Sequence, residues 1–407
     1  MLGFLNRCTL LIKYIFASFA ILLLSACTNF SFGPQNSTAP FTTISQDVGT
    51  QILPLASGEP IGTGNVRVAL LLPISGDAGI ANVGISMANG ARLAMEFIQK
   101  NNSIGSNITL VLKDTSGDAS VAARKASEAV SEGASLILGP LRAESVRAAG
   151  VVARSAGIPL IGFSNNSGAA SSGVYLLNVL PEGEVRRSLG FASSQGRRGF
   201  AVIYPTTDFG YIQAGAFTQS ISDLGLNALA TYSFGDENGA RIAIEQVIPL
   251  IQAGQVDALF LPDRSTAPSF ATLLEAVGID KSRLLIIGSA DWDRDVKISQ
   301  TPYLNGAIYP AIDDAGQEAL RPQYQARFGS NPHPFATIAY TATLLANSSA
   351  LSKSNPPYDK NQLTRPSGFN GRDGLFRFLY NGRSEYALIM KQVISGGAQR
   401  IDGPKLP

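Results

Sequence analysis

The chain has 407 residues, 45% hydrophobic and 15% charged, with a formal net charge of +2. That balance is globular and provides no strongly basic surface, so nucleic acid is not an expected partner. Two cysteines and one histidine leave little room for disulfide, thiol, zinc or imidazole chemistry.

The N-terminus reads as a secretory signal. Arg7 and Lys13 precede the uncharged stretch Tyr14 to Leu24. That stretch is shorter than the roughly 20 apolar residues of a comfortable membrane span. It runs into Leu24-Ser25-Ala26-Cys27, small residues before a cysteine, which suits a lipoprotein signal peptidase. Residues 1–26 are therefore expected to be removed and Cys27 to be lipidated, anchoring the chain at the periplasmic face of a membrane. Thr28 is not the aspartate that often retains lipoproteins at an inner membrane, which points to the outer one.

Cys8 leaves with the signal and Cys27 carries the lipid, so the mature part has no free thiol. His333, in Asn331-Pro332-His333-Pro334, is expected in a turn and not as a catalytic base. No catalytic residue, cofactor or metal site is expected, and the protein is not read as an enzyme. The segment 27–64 is rich in Ser, Thr, Pro, Gly and Asn and reads as a lipidated flexible tether. A docked extension around Gln51 to Leu55 is the alternative.

From Val66 the chain alternates strands and amphipathic helices. Strands are expected at Val66 to Leu72, Ile108 to Leu112, Ser135 to Leu138 and Ile158 to Ile161. Helices are expected from about Val83 to Lys100, from Asp118 as an N-cap, and from about Ala143 to Ser155. The order then recurs. Strands at Phe200 to Tyr204, Leu226 to Tyr232, Val256 to Leu261 and Arg283 to Ile287 alternate with helices at Phe209 to Leu224, Gly239 to Gln252 and Thr266 to Val277. Local sequence echoes as well: Glu132-Gly133-Ala134 matches Ala253-Gly254-Gln255, and Gly157 to Gly162 matches Arg283 to Gly288. Two doubly wound, Rossmann-like α/β lobes are the simplest account, with ligands expected outside the carboxyl ends of the strands.

Four stretches carry a resemblance to a known family: Val68 to Gly76, Asn89 to Ala94, Ile137 to Pro140, and the pair Gly374 to Phe378 and Asn381 to Tyr386. In that order, over residues 65 to 398, the chain resembles the type I periplasmic binding proteins of the leucine/isoleucine/valine receptor kind. The resemblance implies two lobes joined by a three-crossing hinge, with lobe 1 at 65–181 and 311–368 and lobe 2 at 182–310 and 369–407.

Residues just past the strand ends are the expected ligand contacts: Ser75, Glu144, Ser145, Ser164, Asn165 and Asn166 in lobe 1, and Phe209, Asp263, Arg264, Asp291 and Trp292 in lobe 2. Amino-acid-binding relatives place an acid and a tyrosine around the ligand's ammonium. Here Ala290 and Phe209 stand at those positions, which departs from such a clasp.

No phosphate loop, dinucleotide fingerprint after the first strand, or Gly-x-Ser-x-Gly elbow occurs. Asp291, Asp293 and Asp295 alternate as in a calcium loop but lack its glycine and terminal glutamate, and read as a solvated helix start. The resemblance implies capture of an amino-acid-like or other small polar ligand for an ABC importer permease. The chain also resembles the lipoprotein activators of penicillin-binding proteins, which regulate peptidoglycan synthesis through protein contact.

Overall fold

The computed structural model describes residues 55–407, so the signal segment, Cys27 and the tether up to Pro54 lie outside the described residues. The first sheet is built from β1 (Glu59–Ile61), β2 (Val66–Leu72), β3 (Ile108–Asp114), β4 (Leu136–Leu138), β5 (Leu160–Gly162) and β6 (Val174–Leu176), in the order β1-β3-β2-β4-β5-β6. All its neighbours are parallel except β1, which pairs antiparallel with β3. Between these strands run α1 (Ala78–Lys100), α2 (Ala119–Ser131) and α3 (Ala143–Ser155). β2 reads as an unbroken apolar run because helices cover both faces of the sheet: Val68 to Leu72 are at most 1% exposed. α1 starts where the Asp77 carboxylate accepts the Ile80 N–H, and Asp118 caps α2 in the same way, as its position in the sequence predicts.

The second sheet follows α4 (Pro181–Ser194). It contains β7 (Gly199–Pro205), β8 (Asn227–Phe234), β9 (Ala258–Phe260), β10 (Leu285–Ile287) and β11 (Ile308–Ala311), connected through α5 (Asp208–Asp223), α6 (Glu237–Gln252), α7 (Ala267–Ala276) and the short α8 (Val296–Gln300). The chain returns to the first lobe for α9 (Ala315–Phe328), α10 (Ala336–Asn347), α11 (Ser349–Ser352) and α12 (Lys360–Leu363). A small antiparallel sheet, β12 (Phe369–Gly371), β13 (Gly374–Phe378) and β14 (Ser384–Tyr386), precedes β15 (Leu388–Ile394) and β16 (Gly397–Lys405). The last two strands extend the second sheet, whose order is β16-β15-β11-β10-β9-β7-β8.

The echo in the sequence is an echo in topology. Taking the five parallel strands of each lobe in chain order, both sheets run second-first-third-fourth-fifth, β3-β2-β4-β5-β6 and β8-β7-β9-β10-β11. In such a sheet the strand order reverses beside the first strand, and the carboxyl ends there leave a crevice.

Two expected boundaries move. The tether was expected to reach residue 64, yet the chain is docked from Ser57: Ser57 N–H and Oγ donate to Glu132 Oε1 at 2.9 and 2.8 Å, and β1 covers the free edge of β3. An exposed strand edge offers unpaired backbone groups, and this short strand satisfies them. Residues from 369 on were expected in lobe 2. Instead Phe369, Phe376, Phe378 and Tyr386 share one apolar cluster with Val68, Leu70 and Leu72 of the first lobe, and the chain joins the second sheet only at β15. Aromatic side chains decide this, because burial against the larger first core removes more apolar area from water than exposure beside the second sheet.

Candidate functional site

Both sheets present loops at the carboxyl ends of their parallel strands. In the first lobe the loops after β4 and β5 enclose a cavity of about 400 Å³. Glu144, Ser164, Asn165 and Asn166 line it together with Arg142 and Phe335, so four of the six expected first-lobe residues converge there. The loop after β5 is held by Asn178, whose Nδ2 donates to Phe163 O at 2.8 Å and whose Oδ1 accepts from Val179 N–H. Asn166 turns its own loop by accepting the Gly168 N–H at 2.9 Å. Phe335 is brought in by His333, whose Nδ1 accepts the Phe335 N–H at 3.2 Å. Burial lowers the pKa of His333, consistent with that acceptor role.

The helix entering this cavity is chemically open. Arg142 is the N-cap of α3 and gives it no side-chain cap, as is also the case at α4, α7, α9 and α10, whereas α1, α2, α5 and α6 are each capped by an Asp or Thr oxygen. First-turn amides without a cap, together with the positive end of the helix dipole, favour an anionic or acceptor-rich group. Ser145, in the same first turn, is 1% exposed, and its hydroxyl is buried with no hydrogen-bond partner. Arg142 and Glu144 face each other at 3.9 Å with both side chains about half exposed, so neither charge is consumed by a tight pair.

Ser75 is separate from this group. It follows β2, lies exposed, and hydrogen-bonds through Oγ to Asp114 Oδ2 and Ser116 Oγ. Those bonds fix the β2 and β3 loops to each other.

The second lobe presents a different wall. Asp291 and Arg264 pair at 3.3 Å, and Arg264 also approaches Asp295 at 3.8 Å. Asp263 is turned inward on its own loop, accepting from Ser265 and Thr266 hydroxyls at 2.7 Å. Phe209 sits at the start of α5 and is 36% exposed. Trp292 is not a free stacking platform: it is 1% exposed and lies in the core of its lobe, packed over Gly288 and tilted against Tyr309. The three alternating aspartates do not converge on one point, although Asp291 and Asp295 both approach Arg264. Asp291 pairs with Arg264, Asp293 with Lys391 at 2.8 Å, and Asp295 caps α8.

Sequence reasoning missed Glu184. It stands in the first turn of α4, beside Ala290, Gln213 and Asp291. Burial pushes its carboxyl up to about 7, although the Ala290 N–H and Gln213 oppose this. Gln213 Oε1, Glu182 Oε2 and Trp292 Nε1 in these same segments are buried without partners. Glu184 follows a proline at a helix start, a signal for a helix terminus and not for a site, so only the packing of α4 against the β10 loop reveals it. The post-β10 loop also reaches the first lobe, where Arg294 meets Asp314 at 3.0 Å and Glu318 at 3.5 Å.

A search of curated proteins finds no match for this sequence. The family described as "Periplasmic binding protein" matches residues 65–365. Among solved structures, a branched-chain amino acid ABC transporter protein from Rhodospirillum rubrum is similar at a TM-score of 0.69 and 22% identity, covering 83% of this chain and 99% of that one. A branched-chain amino acid transporter substrate binding protein from Streptococcus pneumoniae, in complex with isoleucine, aligns at a TM-score of 0.55 and 19% identity over 84% and 99%. A solute binding protein of an ABC transporter from Rhodopseudomonas palustris, in complex with 3,4-dihydroxy benzoic acid, aligns at 0.54 and 18% over 84% and 98%. At these identities the structures speak for the fold, and the family match extends over most of the chain. The chain belongs to the periplasmic binding protein family, in its two-lobed type I form.

Proposed function

We propose that this chain is a lipid-anchored extracytoplasmic binding protein that captures a small polar solute between its lobes and delivers it to an ABC importer permease. The observation that carries this reading is the uncapped N-terminus of α3 opening into the cavity lined by Ser164, Asn165 and Asn166. A carboxylate there would accept the free amides of the first turn, and the buried Ser145 hydroxyl lies in that same turn. Isoleucine and 3,4-dihydroxy benzoic acid, the ligands in two proteins of this fold, share a carboxylate, and only the first carries an ammonium. The amino-acid-like solute of this chain is therefore recognised by its acid end. Glu144, Asn165 and Asn166 act from lobe 1, and Phe209, Asp263, Arg264 and Asp291 meet the solute from lobe 2 on closure. Lipidation at Cys27 would hold the receptor at the membrane, the outer one if the cell has two.

A second reading, a penicillin-binding-protein activator that regulates peptidoglycan synthesis by contact, is favoured by the second-lobe wall. Arg264 is already engaged by Asp291 and Asp295, Asp263 is taken up by the Ser265 and Thr266 hydroxyls, and Trp292 is buried, which leaves Phe209 as the exposed aromatic of this wall and no tyrosine beside an unengaged acid among the residues expected there. A thermal-shift screen of amino acids, aromatic acids and muropeptides separates the two. A ligand at about 100 times its dissociation constant adds roughly 2.7 kcal/mol. A shift abolished by Asn165→Ala supports solute capture. A flat screen together with specific binding of a penicillin-binding protein would replace it by the second reading.

A further inference from the structure

A second cavity lies on the first lobe, between the C-terminal halves of α1 and α10 and the turn joining β12 to β13, and holds about 380 Å³. It shares no lining residue with the cavity at α3. Its floor is aromatic, formed by the buried Tyr340, Phe369 and Phe376, and Phe97, 42% exposed, stands along its edge.

Two arginines line the same groove. The Arg365 guanidinium lies 4.2 Å from the centroid of Phe369, and that of Arg372 lies 4.6 Å from the centroid of Tyr340. Arg365 Nε donates to Gly368 O at 2.9 Å, and an Arg372 terminal nitrogen donates to Tyr340 Oη at 3.2 Å. A guanidinium has five N–H donors, so each keeps most of them for something else.

Among the described residues neither arginine has a carboxylate within ion-pair distance, and unlike the half-buried Arg197, which donates to the Ser282 and Arg283 carbonyls, both line an aromatic cavity. Arg92, Arg187 and Arg377, comparably or more deeply buried, are paired with Glu59, Asp402 and Glu385 at 2.6, 2.6 and 2.5 Å. Asp373, the chain neighbour of Arg372, is buried and bonded to Thr337 instead. Two half-buried cations thus lie over aromatic rings, each with one N–H bonded and most of its donors left, above an apolar floor. Stacking on a ring face holds a guanidinium in place and leaves its edge free for a planar, bidentate anion.

We propose that this groove binds a small organic carboxylate with an aromatic or acyl body. Arg365 and Arg372 take the carboxylate, and Tyr340, Phe369 and Phe376 receive the apolar part. The site is independent of the interlobe solute and would be occupied whichever reading of the cleft holds.

Calorimetric titration of the full chain with 4-phenylbutyrate and with its uncharged amide tests this. The acid is expected to bind with a dissociation constant of about 1 mM or tighter. The amide, and the variant Arg365→Met with Arg372→Met, are expected to bind about tenfold more weakly or less. Asn165→Ala, in the other cavity, is expected to leave the acid's affinity unchanged. Absence of binding by the acid overturns the proposal. So does equal binding of acid and amide, or loss of binding on Asn165→Ala instead of on the arginine substitutions. The comparison of acid with amide needs no variant, so it decides the matter even if the double substitution unfolds the lobe.

Discussion

Arg187 and Asp402 meet at 2.6 Å, which ties α4, the first element of the second lobe, to β16, the last strand of the chain. The guanidinium is 6% exposed and also donates to Leu388 O and Gly403 O, so it is fully engaged with the two C-terminal strands. Lys405 and then Arg187 hold the Asp402 carboxyl down to about 2. A depressed folded-state value means that the stabilisation is complete above the ordinary range near 3.8 and is lost as pH falls toward 2. Asp402→Asn should cost about 2 kcal/mol at neutral pH and should flatten the stability profile below about pH 4. Urea unfolding at several pH values measures both, and an unchanged acid limb would contradict this role.

Glu184 has the opposite sign. Its folded value of about 7 lies above the ordinary 4.5, so the native state holds a proton over that window which the unfolded chain releases. Stability therefore falls as pH rises from about 4.5 to 7. Asp373, pushed to about 6 by burial, contributes the same sign over a lower range. Above pH 6 the falling contribution belongs to Glu184 and runs against that of His333, whose lowered value makes stability rise as pH approaches 6.5. In Glu184→Gln, unfolding free energies at about pH 6 and about pH 7.5 should agree more closely than in the parent chain. An identical slope in both proteins would remove Glu184 from the account.

Lys113 anchors the start of the described chain. Its ammonium is 2% exposed and lies 2.9 Å from Glu132, which also receives Ser57. Removing one partner of a buried pair strands the other charge, so Lys113→Met should cost about 3–5 kcal/mol. Replacing both Lys113 and Glu132 by methionine should cost less than the single change, because no lone charge remains. A double-mutant cycle in denaturant reads this directly.

Gly288 permits the burial of Trp292. A Cβ at residue 288 would lie 2.2 Å from Trp292 Cδ2, so the ring can pack against the backbone only where there is no side chain. Gly288→Ala should destabilise the second lobe by about 3 kcal/mol through overpacking and should drive the ring toward water. Since the chain has one tryptophan, its fluorescence should shift to the red. An unshifted spectrum would mean that the neighbouring loop absorbs the methyl group.

The alternation of strands and helices, the repeated half and the first-lobe loops were legible from residues alone. Apolar runs such as Val68 to Leu72, and capping residues such as Asp118, encode local structure within a few positions. Loop residues at strand ends have their place fixed by topology, and that is why Glu144, Ser164, Asn165 and Asn166 could be named together before they were seen to share one cavity. Trp292 and Glu184 were not legible in that way. A tryptophan after a strand end can stack on a ligand or fill a core, and only the bare backbone at Gly288 settles it for the core. Glu184 is one more acid at a helix start until α4 packs against the β10 loop and takes away much of its water. Likewise the β12–β14 sheet follows the larger apolar cluster of the first lobe, a competition between two cores that no local pattern contains. Sequence determines what each segment becomes, because that depends on neighbours along the chain. Burial, pairing and the shift of a proton depend on neighbours in space, and those the tertiary structure alone decides.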